Sequence, residues 1–304
     1  MLEAAYGNVY GAPPAEIVEI APDAIQFSPL FPGARDLADV PPGSLDGLVM
    51  LAPPGTVERR HEIALALRAL RPGAPLVALA PKDKGGARIA GDLRALGLDC
   101  EESARKHHRI CVASGPGDAA AIEAAIAEGR PRLSPELGLW TQPGVFSWNR
   151  VDPGTALLIE HLPPLAGKGA DFGCGIGLLA RAALRSPKVA LLALIDIDRR
   201  AIELARHNVD DPRVTFVWGD ARTAAGLAGL DFVVMNPPFH EGGVENQSLG
   251  QNFIQRAAAM LRVGGTCWLT ANRHLPYEAI LKPLFRHVNL IAESGGYKIY
   301  QARK

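Results

Sequence analysis

The heptapeptide Asp171-Phe172-Gly173-Cys174-Gly175-Ile176-Gly177 stands between an apolar run and a stretch of helical periodicity. It constrains the fold more than any other feature. Glycines at alternate positions let a backbone turn tightly from a strand into a helix and approach a ligand without Cβ interference. From residue 145 onward, short apolar runs alternate with amphipathic stretches, the pattern of a parallel sheet covered by helices. Strands are expected at 170–173, 189–195, 214–218, 232–235 and 266–270, with helices at 177–185, 199–208, 252–261 and 276–285. Two further strands, 288–292 and 297–302, flank Ser294-Gly295-Gly296, a turn of hairpin chemistry, so an antiparallel hairpin should close the sheet.

The first 113 residues echo that ending. LDGLVMLAPP (Leu45 to Pro54) resembles LDFVVMNPP (Leu230 to Pro238) with one extra residue, LRPG at Leu70 matches LRVG at Leu261, and Glu102-Ser103 matches Glu293-Ser294. Leu70 precedes Ser103 by as many positions as Leu261 precedes Ser294, which an internal duplication explains. The copies differ where chemistry would sit, because Ala52 stands in place of Asn236 and the first 44 residues hold no GxGxG. At 304 residues and 48% hydrophobic, the chain can bury two cores. The expected organisation is 1–115 as a smaller, degenerate domain of related α/β fold, 116–144 as a linker, and 145–304 as the domain with the ligand site. Within the linker, Asp118 should cap an alanine-rich helix ending at Gly129, and a loop should follow.

Lysine plus arginine (32) balances aspartate plus glutamate (32), so any nucleic-acid contact must come from local clusters. The run Arg105-Lys106-His107-His108-Arg109, helped by Arg59 and Arg60, is the candidate for phosphate contact, with a solvated charged face as the ordinary alternative. Cys100, Cys111, Cys174 and Cys267 form no CxxC pair, which argues against a zinc ribbon or a secreted disulfide framework. No metal site is expected, and a reducing cytoplasm is the simplest setting. No apolar run approaches membrane-spanning length.

Acids mark the next strand ends. Asp196 follows Gly177 by about 20 positions, where a carboxylate can accept from both ribose hydroxyls. Asp198 reads as a helix cap, and Asp220 either faces an adenine edge or stabilises a turn. A dinucleotide fingerprint would need GxGxxG, but Leu178 holds the sixth position; a Walker lysine is also missing. A nucleoside site on the carboxyl edge of the sheet fits better than a pyrophosphate site.

Asn236-Pro237-Pro238-Phe239 ends the fourth strand. An exocyclic amine on an aromatic base is a poor nucleophile because its lone pair is delocalised into the ring. Two acceptors gripping its hydrogens can pull the nitrogen toward tetrahedral geometry. Asn236 can offer its side-chain oxygen and Pro237 its carbonyl, while the prolines limit the ordering that binding requires, and Phe239 can stack on the target. Prolines that simply terminate a strand are the plainer reading, and Pro53-Pro54 shows that it occurs in this chain.

With these residues the segment 145–304 resembles the class I S-adenosylmethionine-dependent methyltransferases. The string NPPFHEGG, together with PGVFS, DPGTALL and ANRHLPY, narrows the resemblance to the guanine-N2 methyltransferases of small-subunit ribosomal RNA, which carry a degenerate N-terminal methyltransferase-like domain. The resemblance implies a Rossmann-like sheet and S-adenosylmethionine as cofactor. It implies cofactor contacts from Asp171, Gly173, Cys174, Gly175, Gly177, Asp196, Asp220 and Asn236, catalysis by Asn236, Pro237, Pro238 and Phe239, and substrate contacts from Phe146, His240, Asn272, Arg105 and Arg109. Ribosomal RNA or the small ribosomal subunit is the expected partner. Adenine N6, a protein glutamine amide, or an RNA-binding assembly module without turnover are the competing readings.

Overall fold

The computed structural model describes residues 5–238, 240–241, 244–245 and 247–304. The chain divides into two compact units, Met1–Pro131 with Gln142–Gly144, and Arg132–Thr141 with Val145–Lys304.

The first unit runs β1 (Tyr6–Tyr10), β2 (Ile20–Gln26), β3 (Leu48–Leu51), α1 (Thr56–Ala69), β4 (Pro75–Pro81), α2 (Ile89–Ala95), β5 (Glu101–Arg105), β6 (His108–Ser114) and α3 (Ala119–Glu128). Its sheet has the order β2-β1-β3-β4-β6-β5, with the first four strands parallel and β6 antiparallel to both its neighbours. β3 and β4 are apolar throughout because both faces are covered. Leu48, Met50, Leu76 and Ala78 pack toward Ile63 and Leu67 of α1, while Val49, Val77 and Leu79 meet Ile17, Val18 and Ile110 on the opposite side.

Asp118 caps α3 by accepting from the amides of Ala120 and Ala121, and Gly129 ends it. The helix is no free connector, because it packs on α1, where His61 Nδ1 lies 2.9 Å from the Ile126 carbonyl oxygen. The stretch 130–144, expected as a loop, contains an antiparallel hairpin of β7 (Arg132–Ser134) and β8 (Leu139–Thr141). The hairpin belongs to the second unit: Asn208 receives the Trp140 amide and donates to its carbonyl.

The second unit continues with α4 (Pro153–His161), β9 (Gly167–Phe172), α5 (Leu178–Ala183), β10 (Val189–Asp196), α6 (Arg199–Asn208), β11 (Val214–Trp218) and β12 (Leu230–Met235). The short pair β13 (His240–Glu241) and β14 (Val244–Glu245), α7 (Gln247–Met260), β15 (Leu261–Asn272), α8 (Tyr277–Leu284), β16 (His287–Ser294) and β17 (Tyr297–Arg303) complete it. The main sheet is ordered β11-β10-β9-β12-β15-β17-β16, parallel through β15, with β17 antiparallel to β15 and β16. This is the Rossmann-like sheet with a closing hairpin expected from the sequence. Ala170, Phe172, Val233, Met235 and Leu269 face α7 and α8, and Leu192, Leu194, Val234 and Trp268 face α4 to α6. No described helix is long and apolar enough to cross a membrane.

Without β11, the second sheet reads β10-β9-β12-β15-β17-β16, which matches the first sheet strand for strand. The register agrees too: Leu45 bridges Leu70 in parallel, as Leu230 pairs with Leu261. Gly73 and Gly264, at the ends of the two matching LR-x-G strings, both have φ +81°.

Candidate active site

The sheet of the second unit brings the singled-out strand ends to one edge. Phe172 pairs with Ile195 and Met235, Met235 with Leu269, and Asp196 with Trp218. The residues after this row, Gly173, Ile197, Gly219 and Asn236, therefore leave the sheet side by side, at the carboxyl edge where such folds bind ligands.

The glycine loop is pinned to β10 by hydrogen bonds from the amides of Gly173 and Cys174 to the Ile195 carbonyl, at 2.9 and 3.1 Å. Gly173, Gly175 and Gly177 have φ of +71°, +52° and +90°. Gly177 is needed for packing as well, because a Cβ there would lie 2.7 Å from Val209 Cγ2. A Cβ on Gly175 would meet nothing within 4 Å. The backbone cradle at Gly175 is therefore open to approach.

The Asp196 carboxylate accepts from the Gly175 amide through Oδ2 and from the Asp198 amide through Oδ1, both at 2.9 Å. It thus couples the loop to the end of β10. Burial pushes its pKa up to about 6 despite these hydrogen bonds. Asp198 caps α6, as expected. Asp171 is fully buried, and among the described residues neither carboxylate oxygen has a hydrogen-bond partner at normal distance, the Ala180 amide giving only a weak opposing effect. Burial first, and then the charge of Asp196, push it up to about 8. An unpaired buried acid is costly unless a cation or a proton meets it, and a cationic ligand in the cradle would supply the former. Burial likewise pushes the Cys174 thiol up, and the neighbouring aspartates add to the effect, which makes it an inert wall of the loop.

Of the two expected roles of Asp220, the hydrogen bonds present are those of a turn residue. Burial raises its pKa, but hydrogen bonds from Arg222 outweigh that effect and hold it below the usual carboxylate range. Its carboxylate is occupied by Arg222, and its carbonyl accepts from the amides of Thr223 and Ala224, so its ordinary role as a turn residue is realised here. Ile197, 38% exposed beside Asp196, is an apolar surface that the sequence reading passed over.

Asn236 is held from an unexpected direction. Its Nδ2 donates to Asp152 Oδ2 at 2.9 Å and to Thr155 Oγ1 at 2.8 Å. The same Asp152 oxygen receives the Thr155 amide at 2.8 Å and caps α4, with Pro153 in the first turn. Both amide hydrogens of Asn236 are therefore spent. No described residue donates to its Oδ1 or to the Pro237 carbonyl. Asp152 and Thr155 were not among the expected site residues, although both lie in the DPGTALL segment that carried part of the resemblance.

Asn272 ends β15 opposite Tyr297 at the same edge. Phe146 is 61% exposed. Phe239 lies outside the described residues, as does the side chain of His240. Arg105 and Arg109 belong to the first unit, on the β5–β6 hairpin turned by Lys106 and His107 at φ +49° and +61°. Arg105 is exposed and Arg109 half-buried. Arg59 cannot contact a phosphate, because it is fully buried and its Nε donates to Asp92 at 2.7 Å.

The profile of the methyltransferase small domain family matches residues 136–301. Ribosomal RNA small subunit methyltransferase C of Pseudomonas paraeruginosa is 30% identical over 93% of this chain and 87% of its own length. The protein of the same name from Shewanella loihica is 37% identical over 56% of this chain, which spans half of that relative. Among solved structures, the Thermus thermophilus 16S rRNA N2 G1207 methyltransferase in complex with AdoMet and guanosine has a TM-score of 0.73 at 26% identity, covering 95% of this chain and 78% of that one. The chain belongs to the methyltransferase small domain family, among relatives that are small-subunit ribosomal RNA methyltransferases.

Proposed function

We propose that the protein transfers a methyl group from S-adenosylmethionine to the exocyclic N2 amine of a guanine in small-subunit ribosomal RNA. The observation that carries this reading is the state of Asn236: with both amide hydrogens donated inward, its Oδ1 and the Pro237 carbonyl meet no donor among the described residues and stand as a pair of acceptors at the sheet edge that carries the glycine loop. The relatives' names support ribosomal RNA over a glutamine amide, and the guanosine-bound neighbour, named for an N2 position of a G, supports guanine over adenine.

The backbone of Gly173 to Gly177 would pass along the cofactor, Asp196 would take its ribose hydroxyls on remaining lone pairs, and Asp171 would face its positive charge. When bound, the cofactor supplies an electrophilic methyl group. Asn236 and Pro237 would draw the two amine hydrogens apart, turn the nitrogen lone pair out of the ring, and aim it along the line of displacement, with Phe239 stacking on the base. Positioning performs the catalysis, and no dedicated general base is assigned. The first unit would be a degenerate copy without a cofactor site, with Arg105 and Arg109 contacting RNA, and the setting would be the cytoplasm.

Mass spectrometry of nucleosides from ribosomal RNA of cells lacking the protein tests this reading. One N2-methylguanosine should disappear and return on complementation. Loss of N6-methyladenosine, or no change in any nucleoside, would overturn the choice of substrate.

A further inference from the structure

We infer that Asp152 and Thr155 act as positioning residues that fix which end of the Asn236 amide faces the target amine. The inference rests on the amine-directed reading above, but not on which amine is methylated. An asparagine amide rotated by half a turn presents an NH2 group where the oxygen should be. Opposed to a target NH2, it would set donor against donor and exclude the substrate. Orientation is thus as necessary as the residue itself.

The surrounding chemistry permits one orientation. An ionised carboxylate can only accept, so the atom of Asn236 facing Asp152 must be the nitrogen. Asp152 Oδ2 already holds the Thr155 amide at 2.8 Å while it receives Asn236 at 2.9 Å, so it is anchored by the first turn of α4. The buried Thr155 hydroxyl, at 2.8 Å, takes the second amide hydrogen. The turn has no room to drift, because a Cβ on Gly154 would lie 2.5 Å from Tyr297 Cδ1 and 2.9 Å from Thr270 Oγ1. Tyr297 Oη adds a long contact to Asp152 Oδ1 at 3.4 Å. The anion has a second effect. Hydrogen bonds in a chain polarise one another, so a charged acceptor on the NH2 end makes Oδ1 a stronger acceptor for the substrate.

The test uses the full chain and separates capping from positioning. Serine retains the cap of α4 but not the reach to Asn236, whereas asparagine retains both and loses only the charge. Asp152→Ser should lower kcat about 100-fold, on the scale of one lost oriented dipole, with cofactor affinity by calorimetry within about twofold of wild type. Asp152→Asn should recover all but about tenfold of the rate, the remainder being the charge. Thr155→Val should lower kcat about tenfold and Thr155→Ser restore it, which keeps the inference testable should Asp152→Ser fold poorly. In the protein without cofactor, the Asn236 side-chain amide protons should be protected from exchange in NMR spectra, and that protection should vanish in Asp152→Ser and Thr155→Val. Unchanged protection, or equal rates in the serine and asparagine variants, would overturn the inference. A wild-type protein that methylates no amine would sink the proposed function instead, while the exchange measurement still decides the orientation.

Discussion

The two units end corresponding strands with nearly the same string, and they satisfy it in opposite ways. In the second unit, Asn236-Pro237-Pro238 follows β12, with the acceptors Oδ1 and the Pro237 carbonyl meeting no donor among the described residues. In the first, Ala52-Pro53-Pro54 follows β3, and the carbonyls of Pro53 and Pro54 are capped by Nη1 of Arg59 at 3.3 and 2.8 Å. Arg59 in turn donates to Asp92, which is also bridged by Arg60. Gly85 makes room for the guanidinium, since a Cβ there would lie 2.6 Å from Nη1. The backbone carbonyls of this motif are thus generic acceptors of planar N–H groups. One unit meets them with its own arginine; in the other no described residue donates to the Pro237 carbonyl. In the first unit the string is closed by a side chain as well as lacking the asparagine.

The largest effect expected from breaking this contrast is on stability. Arg59→Ala should cost about 3 kcal/mol, because it leaves the buried Pro53 carbonyl and one oxygen of the buried Asp92 carboxylate without their partner, while Arg60 keeps the other oxygen. Denaturant unfolding should show the loss in a transition of the first unit, and methyl transfer measured below that transition should be unaffected. A loss under about 1 kcal/mol would mean that the guanidinium is not an essential closure. In the second unit the expected cost is in rate: Asn236→Ala should reduce kcat by about 10²-fold while cofactor affinity stays near wild type. Adding Ala52→Asn to that variant should recover nothing, since Arg59 already fills the acceptors there. Recovery would show that the first unit retains a usable site.

Much of this contrast was legible in the sequence, and the rest was hidden for identifiable reasons. The strand positions, the parallel sheet with its hairpin at 295–296 and the matched spacing of the two halves follow from apolar runs and glycines, which are local signals, whereas the strand order does not. The Asn236 motif is local too. Its support is not: Asp152 lies 84 positions away, and no periodicity links a helix cap to a strand end. Arg59 sits beside Arg60 and reads as part of a charged face, yet a buried acid on another helix draws it inward. The hairpin at 132–141 was missed because strands of three residues are too short for alternation to register.

The glycine loop allows fold and ligand demands to be separated within one segment. Gly177→Ala should lose about 2 kcal/mol of stability, since it combines left-handed strain with overlap at Val209. Gly175→Ala meets no neighbour and should lose about 1 kcal/mol, from strain alone. It should nevertheless weaken cofactor binding more than Gly177→Ala does, which calorimetry of the two variants would show. The reverse ranking would place the ligand elsewhere than the cradle.

The smallest expected effect is a proton. Asp171, pushed up to about 8 by burial and then by Asp196, is mostly protonated at neutral pH in the free protein. A cationic ligand favours the ionised form, so binding must release a proton below about pH 8 and none well above it. Cofactor affinity should therefore climb with pH by at most tenfold per unit between about 6 and 8, then level off. The ligand's own amine titrates near 7.7 to 8.0 as a free α-amino group, roughly the same range, so Asp171→Asn provides the baseline: its pH dependence should be shallower by the contribution of one acid. The first unit has no counterpart of this acid in a glycine loop, because its first 44 residues lack the loop altogether. Identical pH profiles for wild type and variant would mean that Asp171 keeps its proton in the complex, and that the cation is met by Asp196 or by the loop carbonyls instead.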